Sequence, residues 1–152
     1  MSQISITKSF SWDMSHMLAG HQGHCKNLHG HTYQLEVEVV NKAGQVQEVG
    51  PARGMVVDFK DLKNIVKDKI VNPLDHAFLY WSKSTADVEH QIAQLLQEND
   101  RKVVKVDFRP TAENMAQHFW QLLKDDVQEI GLKLESIRVW ETETSYAEIR
   151  GE

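Results

Sequence analysis

Five of the chain's eight histidines and its only cysteine fall within residues 16–31, HMLAGHQGHCKNLHGH. Imidazole and thiolate are metal ligands and proton carriers, so this stretch carries the most chemistry per residue. His29 and His31 form a His-x-His pair. In a strand such a pair puts both rings on one face, roughly 7 Å apart at the backbone. From there both rings reach a single ion. His16 has the parity to supply a third nitrogen from a neighbouring strand. Three neutral nitrogens leave a fourth position free, the arrangement of a catalytic rather than a structural zinc site. Zinc is the first expectation, although imidazole also suits copper, nickel and iron. The competing reading is three ordinary polar residues at strand ends. Burying them without a partner is costly, which favours the metal. His21 and His24 lie in a glycine-containing loop and read as loop residues.

Cys25 sits four residues before His29, with His24 and Lys26 beside it. Those neighbours favour the thiolate, which would act as a nucleophile or general base. A fourth metal ligand is the alternative. Asp75-His76 interrupts an apolar stretch, Pro73 to Leu79. A carboxylate orienting an imidazole builds a proton-transfer group, whereas an exposed turn after a helix is the plainer reading. Glu141 continues the parity of Ile137 and Val139 in the last strand. A carboxylate on a core-facing row is expected to be paired or to bind something. It suits the two parallel N–H donors of a guanine- or pterin-type ring. Glu143 shares the parity, so periodicity does not choose between them.

The elements that must position these groups follow from hydrophobic periodicity. Ile4, Ile6, Phe10, Trp12, Met14 and His16 alternate with polar residues, the pattern of a half-buried strand. His29, His31, Tyr33, Leu35, Val37 and Val39 repeat it, and the two strands are expected to pair antiparallel. Residues 41–54 read as a turn-rich excursion. Asp58 caps a helix with Phe59, Leu62, Ile65, Val66 and Ile70 on one stripe, ended by Pro73. Ser84 or Thr85 opens a second helix with Val88, Ile92, Leu95 and Leu96 inward. VVKVDF (103–108) is a strand. Pro110-Thr111 introduces a third helix with Met115, Phe119, Leu122, Leu123 and Val127 inward. Residues 134–149 close the chain as one long strand. The fold class expected is α+β, one domain over 1–152, with helices covering one face of an antiparallel sheet.

Composition agrees. A chain of 152 residues with 41% hydrophobic and 26% charged residues suits one globular domain. A single cysteine allows no internal disulfide, no apolar run reaches a membrane span, and the N-terminus lacks a secretory pattern. A cytoplasmic protein is expected. The net charge of −5 argues against general nucleic-acid binding.

The ordered set CKNLHGH, DFKDLK, PLDHAFL, PTAENMA and VWETET, from Phe10 to about Thr144, resembles the 6-pyruvoyltetrahydropterin and 6-carboxytetrahydropterin synthase family. The Cys-x3-His-Gly-His spacing is similar to that of the bacterial 6-carboxytetrahydropterin synthases of queuosine (7-deazaguanine) biosynthesis. The resemblance implies a tunnelling fold, a four-stranded antiparallel sheet with helices packed on one face, assembled as trimers stacked into a homohexamer. It implies Zn2+ on His16, His29 and His31. Cys25, Asp75 and His76 would be the catalytic triad, with the Asp-His pair reaching the site from a neighbouring subunit. Glu141 would anchor the pterin, with Thr111 nearby. The implied enzyme is a carbon–carbon/carbon–oxygen lyase. It would take 7,8-dihydroneopterin triphosphate to 6-carboxy-5,6,7,8-tetrahydropterin, acetaldehyde and triphosphate. The alternatives are a 6-pyruvoyltetrahydropterin synthase and a non-catalytic histidine-rich metal-binding protein.

Overall fold

Alternation builds the two long strands. β1 (Ser5–His16) and β2 (His29–Asn41) pair antiparallel along their length, from Ser5 opposite Val40 to His16 opposite His29. The structure is a computed structural model and describes residues 2–152. Phe10, Trp12 and Met14 of β1 and Tyr33, Leu35, Val37 and Val39 of β2 are buried on one face of this pair. β5 (Leu132–Thr142) joins β2 antiparallel, with Leu35 opposite Val139.

The expected closing strand, 134–149, is two strands. β6 (Ser145–Arg150) returns along β5 after a turn at Glu143-Thr144, with Thr142 opposite Ser145. At the other edge β3 (Ala77–Trp81) lies parallel to β1, and β4 (Val103–Val106) lies parallel to β3. The sheet order is β4-β3-β1-β2-β5-β6. The α+β class holds, but the sheet has six strands rather than four. Its antiparallel part is β1-β2-β5-β6, and two short parallel strands extend it. AFLYW is a short continuous apolar run, which periodicity alone does not assign.

α1 (Phe59–Val66) starts where the Asp58 carboxylate accepts the Lys60 amide at 2.9 Å. Leu62, Val66 and Ile70 point into the core, while Phe59 lies outside it. The helix widens through a π-helical turn at Lys67–Val71 and ends in α2 (Asn72–Leu74). α4 (Ala112–Glu129) is capped by the Thr111 hydroxyl, which accepts the Asn114 amide at 3.2 Å. Met115, Phe119, Leu123 and Val127, four residues apart, have almost no exposed surface. α1 and α4 cover the same face of the sheet through one core cluster.

α3 (Asp87–Glu98) departs from expectation twice. Val88 and Leu95, predicted inward, are 48% and 60% exposed, while Glu89 and Ala93 are buried. The Glu89 carboxylate accepts the Trp81 amide at 2.8 Å, which turns that side of the helix toward the end of β3. α3 also packs on the opposite face of the sheet from α1 and α4. Phe78 stands beside Ser15 on the outward row of β1 and clusters with Ala93 and Met17. A phenyl ring on that face needs a cover, and α3 supplies it.

Candidate active site

Strand register assembles the histidines. His16 is directly opposite His29, and Met14 is opposite His31, so all three imidazoles rise from one face at one end of the β1–β2 pair. Their ring centroids lie 4.6, 5.3 and 5.0 Å apart. One nitrogen from each falls within 4.8 Å of the other two.

Backbone carbonyls decide which nitrogens are free. His16 Nδ1–H donates to the Pro110 carbonyl at 2.8 Å, and His29 Nδ1–H donates to the Asn27 carbonyl at 2.7 Å. With Nδ1 so engaged, each ring turns its Nε2 toward the other, and these two atoms face each other at 3.1 Å. His31 Nε2 is buried with no hydrogen-bond partner; the Glu141 carboxylate approaches to 3.3 Å without hydrogen-bond geometry. Converging lone pairs and an orphaned buried nitrogen are what a cation would satisfy. Burial pushes the His16 pKa down to about 4, against the Pro110 hydrogen bond and with help from His29 and His31. Burial also lowers that of His31, against the pull of Glu141. Both rings are thus neutral near pH 7, the form that binds a metal. The donor set fits zinc in an open, three-nitrogen site.

Tyr33, the next residue on the histidine row, is fully buried with its hydroxyl 3.3 Å from His16 Nδ1. Burial first, then Glu141, pushes its phenol well above the ordinary range.

Cys25 lies in a single 3-10 turn, His24–Lys26, in the loop between β1 and β2. The loop is laced internally: Leu18 N–H donates to the Cys25 carbonyl at 2.9 Å and His21 N–H to the Leu18 carbonyl at 3.0 Å. Among the described residues the candidate metal group contains the three histidines and not the cysteine. The thiol is partly exposed.

Asp75 and His76 follow α2. The Asp75 carboxylate accepts His76 Nδ1–H at 2.9 Å and the Asp13 amide at 3.2 Å. The Asp13 amide, ahead of His76 and Lys102, holds the Asp75 carboxyl below its usual range. His76 adopts a left-handed backbone (φ 64°), pinned by its own N–H to the Asp13 carbonyl at 2.7 Å. Its side chain is 75% exposed. No hydrogen bond or ion pair among the described residues joins this pair to Cys25. His76 and His31 do line one shallow hollow of about 400 Å³, together with Gly30 of β2. A side chain at Gly30 would press on the Met14 carbonyl at 3.2 Å.

Glu141 is the carboxylate beside the histidines; Glu143 lies in the exposed turn after β5. An open cavity of about 550 Å³ runs from Glu141 past Glu113 and Ala112 to Tyr146. Thr111, at the start of α4, uses its hydroxyl as the helix cap. Pro110 and Asn27 act through backbone carbonyls, which residue type does not advertise. Tyr33 was readable, because it continues the row of His29 and His31.

Fold and site together define a class: an α+β domain whose central strand pair ends in three imidazoles suited to one metal ion. Residues 5–152 match the family described as 6-pyruvoyl tetrahydropterin synthase, and the chain belongs to that enzyme family. A protein of Haemophilus influenzae named 6-carboxy-5,6,7,8-tetrahydropterin synthase is 50% identical over 145 residues, covering 95% of this chain and 97% of that one. A protein of the same name from Aquifex aeolicus is 35% identical over 137 residues, 84% of this chain and 76% of that one. Among solved structures, an uncharacterized protein of Wolinella succinogenes superimposes with a TM-score of 0.72 at 23% identity, over 98% of both chains. The 6-pyruvoyl tetrahydropterin synthase of Caenorhabditis elegans gives 0.64 at 20% identity, over 98% of this chain and 96% of that one. These two likenesses establish the fold.

Proposed function

We propose that the protein is a zinc-dependent 6-carboxy-5,6,7,8-tetrahydropterin synthase of queuosine biosynthesis. Its substrates are 7,8-dihydroneopterin triphosphate and one water, and its products are 6-carboxy-5,6,7,8-tetrahydropterin, acetaldehyde and triphosphate. The observation that carries this reading is the convergence of His16, His29 and His31 beside Glu141, in a chain half identical to a protein of that name.

Bound by the three histidines, zinc supplies a Lewis acid for the hydroxyls of the substrate's side chain. The Pro110 and Asn27 carbonyls keep Nε2 of His16 and His29 unprotonated for that purpose. Glu141 accepts two N–H donors from the pterin ring, and Thr111 flanks it. This lays the side chain across the histidines and sets the orientation. Cys25, as thiolate, removes a proton from a side-chain carbon while the ring is reprotonated. His76, with Nδ1–H held by Asp75, carries the second proton transfer through Nε2. Loss of triphosphate follows, then carbon–carbon cleavage in which one water supplies the second carboxylate oxygen of the product. The exposure of His76 suits a residue that serves a neighbouring subunit in a trimer or hexamer, with sites at the interfaces. No helix among the described residues is long and apolar enough to cross a membrane.

Mass spectrometry of the products made from 7,8-dihydroneopterin triphosphate tests the reading. Acetaldehyde and the 6-carboxy product in equal amounts are expected. A 6-pyruvoyl product without acetaldehyde overturns the assignment.

A further inference from the structure

The segment before α4 grips the site from two sides. The Pro110 carbonyl accepts His16 Nδ1–H at 2.8 Å. One residue earlier, Arg109 Nη2–H donates to the Ala19 carbonyl at 3.0 Å, across ninety positions of sequence. Ala19 belongs to the loop that carries Cys25. Its neighbour Leu18 holds the Cys25 carbonyl at 2.9 Å. Among the described residues, the loop's other hydrogen bonds are internal or go to His29, where β2 begins. Arg109 is therefore the one hydrogen-bonded tether from this loop to a distant part of the chain. The Arg109 backbone is itself fixed, because its carbonyl accepts the Thr111 amide at 2.8 Å and Asn114 Nδ2–H at 3.0 Å. Its Nε–H is buried without a partner. Burying a guanidinium N–H unpaired opposes folding, so stability is a poor account of an arginine at this position.

We infer that Arg109 is a positioning residue, which ties the 17–28 loop to the start of α4 and so fixes Cys25 relative to the three histidines. The inference rests on the proposed role of Cys25 in proton transfer. The same short segment then places three things at once: the His16 ring through Pro110, the thiol loop through Arg109, and α4 with its cap through Thr111. Loss of the tether leaves the metal site whole, since the Pro110 carbonyl is backbone, but lets the loop open.

The test uses the metal-loaded full chain with Arg109→Met and Arg109→Lys. Cys25 is the sole thiol, so iodoacetamide reports on it alone. Arg109→Met should keep stoichiometric zinc and alkylate about tenfold faster or more, the scale on which losing one charge-assisted hydrogen bond shifts a local opening. With 7,8-dihydroneopterin triphosphate, kcat should fall about tenfold or more while KM changes little, because a displaced base costs rate rather than binding. Arg109→Lys, which keeps a charged donor, should recover most of both. Alkylation at the wild-type rate in both variants overturns the inference. So does zinc loss in step with activity, which would place the effect at His16, or a rise in KM alone, which would make Arg109 a substrate contact. Alkylation needs no substrate, so it judges the tether even if the wild type fails to turn over this pterin. That failure would instead refute the proposed function.

Discussion

Replacing His29 with Ala separates the metal from the fold. His29 is only partly buried and makes one hydrogen bond, Nδ1–H to the Asn27 carbonyl at 2.7 Å. Its loss should cost the metal-free fold about 0.5–1.5 kcal/mol, or roughly 2–5 °C for a domain of this size. Its loss to the metal is larger. Structural zinc sites with four ligands bind with about 10–16 kcal/mol, so each ligand carries about 3 kcal/mol and its removal weakens binding on the order of a hundredfold. At free zinc a hundred times the wild-type Kd, the wild type gains about 2.7 kcal/mol of stability, or roughly 5–10 °C. The variant, at a ratio near one, gains about 0.4 kcal/mol, roughly 1 °C. Thermal melts with and without buffered free zinc, with metal content measured on the same samples, read both quantities. An undiminished zinc shift and full occupancy in His29→Ala would refute the ligand assignment.

Cys25→Ala should keep full zinc occupancy and lose about 10²–10⁴ in kcat, read by metal analysis and turnover on one preparation. Leu123→Ala, in the core, should cost about 2–5 kcal/mol in urea unfolding. Leu95→Ala should stay within about 0.5 kcal/mol, because that side chain faces solvent; a large loss there would mean α3 is turned as its periodicity suggests. Glu38→Gln should cost about 1–2 kcal/mol at neutral pH through its hydrogen bonds from Ser5 and Ser136, both 2.7 Å. Burial opposes the Glu38 carboxylate, but those two hydroxyls and Arg150 and Arg138 outweigh it and hold its pKa below the usual value. The stabilisation should be present above the ordinary glutamate range and fade as the pH falls below it. Equal stability of the two proteins across that range would contradict the role of the pair.

The strand pair and its three histidines were legible because alternation states which residues share a face. Shared faces leave the register open in steps of two residues, so the pairing of His16 with His29 is seen only in the fold. Asp58 announced itself as a cap by type and position, and Pro110-Thr111 as the start of a helix; that the Thr111 hydroxyl is the cap is seen only in the fold. AFLYW was not legible as a strand, since a buried run has no period to read. The break at Glu143-Thr144 escaped because no glycine or proline marks it. α3 misled for a different reason: its apolar stripe is real, but the Glu89 contact with the Trp81 amide is a tertiary event that rotates another face inward. Around the site, the Pro110 and Asn27 carbonyls belong to the backbone, and Arg109 meets Ala19 only after the chain has folded.

Turnover at defined metal occupancy decides whether the three histidines hold a catalytic zinc. The purified protein is stripped with a chelator, reloaded with graded zinc, and given 7,8-dihydroneopterin triphosphate while acetaldehyde is counted. No product is expected without metal, and the rate should rise in proportion to bound zinc, to one ion per chain. Equal turnover by the stripped protein would contradict a catalytic role for the metal.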